Sequence, residues 1–187
     1  MNALTKQKMT VDEFLAWAEG REGRWELAGG VPVCMSPERA GHGRTKYSAA
    51  KALERAIAAA KVPCFLLLDC VAVRLDARSS FQPDLVIHCG KPLADSEIEV
   101  KEPIVVIEVL SPSTRAVDLR LKVRRYFELP SIRHYLILDP EDRSVIHHAR
   151  GHGDVLLTRI VSEGALALEP PGFSVEVQSL FPEPYEA

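Results

Sequence analysis

The sequence predicts one α/β domain of the mixed (α+β) kind, with a central mixed β-sheet flanked by helices. Three observations carry that prediction. Helical periodicity is strongest in the first third, and strand-like apolar runs dominate the middle. A single helix then follows the most apolar run, Ile104 to Leu110. With 187 residues the chain has room for one real core, so residues 1–187 read as a single domain with its core at about 9–180. Apolar residues at 47% and charged residues at 26% exclude general disorder. A net charge of −3 gives no overall basic footprint for nonspecific nucleic-acid binding, which leaves only local basic patches to consider.

Each element has a local reason. Thr10 and Glu13 match the S/T-x-x-E capping box, which starts a helix from about Thr10 to Ala18, with Gly20 as its stop. Arg24 to Leu27 and Val31 to Met35 flank Ala28-Gly29-Gly30 and read as a hairpin. A longer helix runs from about Gly43 to Lys61, with Tyr47, Ala50, Leu53 and Ile57 at helical spacing. Cys64 to Leu68, Val71 to Leu75 and Asp84 to Ile87 are short strand-like runs. Ile-Val-Val-Ile-Glu-Val-Leu at 104–110 is β-branched and almost wholly apolar, as a strand buried on both faces must be. Pro112 ends it, and Ser113 or Thr114 can cap a helix reaching about Glu128. Tyr135 to Leu138, Val145 to His148 and Val155 to Val161 read as further strands. The proline-rich tail, Pro170 to Ala187, reads as extended chain and turns over the surface.

No apolar run approaches the roughly 20 residues that span a bilayer. Met1 to Thr10 is polar and lacks a signal-peptide core, so the expected location is cytoplasmic. Cys34, Cys64, Cys70 and Cys89 form no C-x-x-C pair, which supports neither a zinc knuckle nor a redox dithiol. They read as small core residues in a reducing compartment.

Glu108 is the anomaly, since an unpaired carboxylate buried within Ile104 to Leu110 would cost several kcal/mol. A cation, a basic side chain or a solvent-facing strand end must compensate it. Asp84 follows Pro83 and opens another apolar run. Neighbouring strands lie about 4.8 Å apart, so if the two runs pair, one oxygen-loving cation can bridge both acids. In the next helix Asp118, Lys122 and either Arg125 or Tyr126 share one face. Lys122 borders the buried side marked by Leu119, Val123, Tyr126 and Phe127, from where it can extend toward Glu108.

Gln82-Pro83-Asp84, then Val106 to Thr114, then Asp118, Lys122 and Tyr126 together resemble the Uma family of restriction endonucleases, within the PD-(D/E)XK nuclease superfamily. Trp25-Glu26-Leu27 and Gly29 resemble the family's early Glu-Leu hairpin, and His42 fits the head of the second helix. The resemblance spans about Met9 to Leu180. It implies a restriction-endonuclease-like core and hydrolysis of DNA phosphodiester bonds. Asp84, Glu108 and, by analogy, the carbonyl of Val109 would be ligands for Mg²⁺ or Mn²⁺. Lys122 would orient or deprotonate the attacking water or stabilise charge in the transition state. Glu26 would assist through a water on the metal. In the superfamily's simplest pattern a lysine stands two residues after the glutamate, but Leu110 occupies that position here, so Lys122 must supply the ammonium.

That substitution and the net negative charge support a second reading, a catalytically silent nucleic-acid-binding or interaction module that keeps the nuclease fold. A glycosidase using Asp84 and Glu108 as its acid pair explains neither the Lys122 helix nor the sparse aromatics, 6% of the chain. Between Arg115 and Arg133, basic residues outnumber acids, a local excess suited to phosphates or simply to a solvated helix face. His147, His148 and His152 lack an H-E-x-x-H helix and read as surface histidines, and His88 reads as strand packing. Cutting both DNA strands commonly uses two sites, which makes a homodimer the expected assembly.

Overall fold

The computed structural model describes residues 8–111 and 121–183. Helix α1 (Val11–Ala18) starts at Thr10, whose side chain accepts from the Glu13 amide while Glu13 bonds back to Thr10, completing the capping box. The hairpin β1 (Trp25–Ala28) and β2 (Val31–Cys34) turns through Gly29 and Gly30, both at positive φ. Helix α2 (Ala40–Ala60) begins earlier than the spacing predicts. Its buried face carries Ala49, Ala50, Leu53 and Ile57, whereas Tyr47 is exposed, contrary to the sequence expectation.

The strands β3 (Cys64–Leu68), β4 (Val73–Asp76), β6 (Leu85–Cys89) and β7 (Pro103–Val109) follow the apolar runs. A short strand, β5 (Ser79–Phe81), lies between them; at three residues it is too brief to show a period. After the described part of the next helix, α3 (Val123–Tyr126), come β8 (His134–Asp139), β9 (Ser144–Arg150) and β10 (Leu156–Val161). The N-terminal half of the predicted helix, with Ser113, Thr114 and Asp118, lies outside the described residues. So do Arg115 and Arg120.

The large sheet has the order β10-β9-β8-β7-β6-β3 and is mixed, because β7 and β8 are parallel while the other neighbours are antiparallel. A smaller sheet, β2-β1-β5-β4, contributes to the site. Side-chain alternation divides β7 between two cores. Val105, Ile107 and Val109 pack toward α2, while Val106 and Leu110 face Phe81, Tyr126 and Tyr135. Glu108 shares the parity of this second face.

Two further sequence expectations are overturned. The tail from Pro170 to Glu183 is not a surface strap, and residues 184–187 lie outside the described residues: β11 (Ala165–Leu168) and β12 (Phe173–Glu176) form a hairpin, and a 3-10 turn, Val177–Leu180, follows. Phe173, Val175, Val177, Leu180 and Phe181 join the α2-side core, since their apolar area is stable only out of water and α2 leaves room to cover it. Nor are the four cysteines all small core residues. Cys64 and Cys89 stand opposite each other in the β3–β6 register and are disulfide-bonded, while Cys34 and Cys70 are exposed.

Candidate active site

The β6–β7 register brings the two acids together. Leu85 pairs with Ile107 in antiparallel sense, so the next position outward sets Asp84 opposite Glu108, on the same face. Both are 3% exposed, a depth at which carboxylates need compensation. Beyond the end of β6, the Val109 amide donates to Asp84 Oδ2 at 2.7 Å. A strand residue's N–H and C=O point to the same side, so the Val109 carbonyl opens beside Asp84 as well.

Glu108 has its own partners. Lys122, immediately before α3, brings its Nζ to 2.8 Å from Glu108 Oε1, and Tyr126 donates its hydroxyl to the same oxygen at 2.9 Å. The i, i+4 spacing of Lys122 and Tyr126 puts both on the face that meets β7. Lys122 is buried, and its ammonium also lies 5.5 Å from the centre of the Phe81 ring. Burial, then the charges of Glu108 and Glu26, pushes the Tyr126 phenol well above its ordinary value, which keeps it a donor.

Glu26 belongs to this group rather than to solvent. It lies on the buried side of β1, and its Oε1 accepts from Lys122 Nζ at 3.1 Å and from the Gln82 amide at 3.1 Å. One ammonium therefore bridges an acid of the small sheet and an acid of the large one.

Asp84 faces a second cluster, built largely from residues that the sequence reading passed over. His42 Nε2 lies 3.2 Å from Oδ2 and 3.3 Å from Oδ1; a carboxylate only accepts, so Nε2 carries the proton. One helical turn on, Lys46 reaches to 3.6 Å from Asp84 and also pairs with Glu38 and Asp69, while Arg24 pairs with Glu38 and Asp69. Burial raises the Asp84 carboxyl. The His42 hydrogen bond and charge, the Val109 amide and Lys46 outweigh that effect and hold it below the usual carboxylate range. Burial depresses the Lys46 ammonium, yet Asp69 and Glu38 bring it above its ordinary value. The signal for Lys46 was present in its i, i+4 spacing from His42, on the side of α2 that carries Ala49, Ala50 and Leu53. Glu38, His42 and Asp84 offer ligand atoms all within 4.8 Å of one another. Lys46 and Arg24 already balance much of the negative charge there.

The remaining sequence candidates separate. Arg125 is paired with Asp76 and Glu128, and Arg124 is exposed beside Glu128, so this part of the basic excess is largely compensated at the surface. His147 is not a surface residue. It is 1% exposed and forms a chain in which Arg159 donates to His147 Nδ1 (3.1 Å), His147 Nε2 donates to His134 Nδ1 (2.9 Å), and His134 Nε2 donates to the Pro170 carbonyl (2.8 Å). Burial, then the charges of His134, Arg159 and His148, pushes His147 down to about 3. His152 is exposed, and His88 packs on Phe65 as expected, with ring centres 5.5 Å apart.

A family model, Uma2, described as "Putative restriction endonuclease", matches residues 11–181. The uncharacterized protein sll1609 of Synechocystis sp. is 26% identical over 168 residues, covering 88% of this chain and 94% of that protein. A second uncharacterized Synechocystis protein, slr1290, is 30% identical over 100 residues, 53% of each chain. Among solved structures, the crystal structure of "a putative nuclease belonging to DUF820" from Anabaena variabilis superposes with a TM-score of 0.71. It is 17% identical and covers 92% of this chain and 97% of that one. The fold is thus restriction-endonuclease-like.

Proposed function

The chain belongs to the Uma2 restriction-endonuclease family, and from that premise we propose that it is a Mg²⁺-dependent DNA endonuclease hydrolysing phosphodiester bonds. One observation carries the reading. The lysine missing at Leu110 is matched by Lys122, whose ammonium lies 2.8 Å from Glu108. A silent module would need only a counter-charge for Glu108, whereas here the ammonium, Glu108 and Asp84 converge at one strand end, and that convergence supports the enzyme over the silent fold.

Asp84, Glu108 and the Val109 carbonyl form an all-oxygen donor set that suits Mg²⁺ or Mn²⁺, hard cations that keep waters and accept phosphate oxygens. The ion would polarise the scissile phosphate and make water a better nucleophile at neutral pH. Asp84 is suited to this role because it is held as a carboxylate, with His42 and the Val109 amide orienting it. Lys122, between Glu108 and Glu26, presents an ammonium donor that can orient the attacking water and stabilise charge growing on the phosphoryl oxygens. Glu26 and Tyr126 act through Lys122 and Glu108 as positioning residues.

Supercoiled-plasmid nicking with Mg²⁺ or Mn²⁺ tests this. The parent should cleave, EDTA should abolish cleavage, and Asp84→Ala, Glu108→Ala and Lys122→Ala should each lose at least about a hundredfold in rate. Equal residual cleavage in all four proteins would trace the activity to a contaminant and remove this site from the explanation.

A further inference from the structure

Strand β10 is unlike the other strands of the large sheet: residues 156–160 are all exposed, and Val161 is only half-buried. It forms one edge of that sheet, and Leu156 (38%), Leu157 (57%) and Ile160 (73%) present large apolar side chains there. Exposed apolar edges are ready templates for strand pairing, and proteins usually blunt them with proline, lysine or a bulge. Edge strand β2 of the small sheet follows that rule through Pro32, but β10 pairs with β9 without interruption and contains neither proline nor lysine.

The ladder defines which backbone groups face outward. The Gly151 amide donates to the Val155 carbonyl, so 151 and 155 form a hydrogen-bonded pair and the pattern alternates along β9–β10. Leu157, Arg159 and Val161 therefore turn their N–H and C=O toward β9. Those of Leu156, Thr158 and Ile160 point away from the sheet, with no strand beyond them among the described residues.

We propose that β10 is a self-pairing edge, joining two copies of this chain antiparallel about a two-fold axis through Thr158. An isologous edge requires outward residues to meet outward residues. Centred on Thr158, Leu156 of one copy meets Ile160 of the other, and Thr158 meets Thr158. Aliphatic and Thr–Thr cross-strand pairs stabilise antiparallel sheets. All three outward residues of each copy then donate and accept across the joint. On the other face Leu157 meets Arg159, whose guanidinium is held back by His147 and whose stem offers apolar cover. A register centred on Arg159 would set like charges face to face, and one centred on Leu157 would set Asp154 against Ile160. Self-complementarity of sequence, charge and backbone parity thus selects a second copy as the occupant, whether or not the protein cuts DNA.

Sedimentation equilibrium of the full chain at micromolar concentrations tests the edge. The parent should run at twice the 20.7 kDa chain mass. Thr158→Pro removes an outward N–H without touching the β9 ladder, and Ile160→Lys adds a charge at an exposed site; both should run at the single-chain mass with unchanged circular dichroism. Amide exchange should be slow at Leu156, Thr158 and Ile160 in the parent and fast in Ile160→Lys. A parent that stays monomeric, edge variants that dimerise like the parent, or parent amides at 156, 158 and 160 that exchange rapidly would each overturn the proposal.

Discussion

Replacing Lys122 with methionine removes the charge that two buried carboxylates share. Side-chain exposure is 3% for Lys122, 4% for Glu108 and 11% for Glu26, and the ammonium lies 2.8 and 3.1 Å from the two acids. At that depth the loss of one partner strands charge away from water, and breaking such a pair costs about 3–5 kcal/mol. Glu108 keeps the Tyr126 hydroxyl at 2.9 Å, which points to the lower end, about 3 kcal/mol. Adding Glu108→Gln removes one of the stranded acids. The double variant should therefore be more stable than the sum of the single changes implies, by about 2 kcal/mol. Urea unfolding at neutral pH, followed by tryptophan fluorescence and circular dichroism, measures all four corners of the cycle. A Lys122→Met variant within about 0.5 kcal/mol of the parent, or single effects that simply add, would refute the view that this ammonium compensates the two acids.

Two further outcomes follow from the structure. His147 is neutral when folded, its value pushed down to about 3, while an unfolded histidine titrates near 6.5. The unfolded chain therefore binds the extra proton, and stability present above about pH 6.5 is lost as pH falls; this one group accounts for about 2 kcal/mol between pH 7 and 5. Burial also lowers His134 and His148, which adds to the loss in the same direction. Urea midpoints at pH 7 and 5 should converge more in His147→Gln than in the parent, and identical pH dependence would rule the buried chain out. Leu180→Ala, at a fully buried position, should cost about 2–5 kcal/mol in the same urea assay, whereas a tail lying on the surface would give less than about 0.5.

By itself, the sequence determined the elements whose signals are local. The capping box at Thr10, the glycine hairpin and the apolar run at 104–110 all follow from neighbouring residues, and α1, β1–β2 and β7 formed there. Glu108 was legible for the same reason: a carboxylate amid β-branched residues announces a need for a partner. Lys122 and Tyr126 were legible through helical spacing, and both meet Glu108. Tertiary structure alone decided which residues from distant segments converge. Asp84 is met by His42, Lys46 and the Val109 amide, and Glu26 reaches Lys122 from another sheet, because strand order is set by whole-fold packing rather than by local pattern. The same holds for the tail and the histidines. Prolines suggested a surface segment, and the lack of an H-E-x-x-H helix suggested surface imidazoles. The β11–β12 hairpin nevertheless closes over α2, and it carries the Pro170 carbonyl that anchors the buried His147–His134 chain. Burying that apolar area and satisfying those ring nitrogens are gains realised only when segments far apart in the chain are in contact.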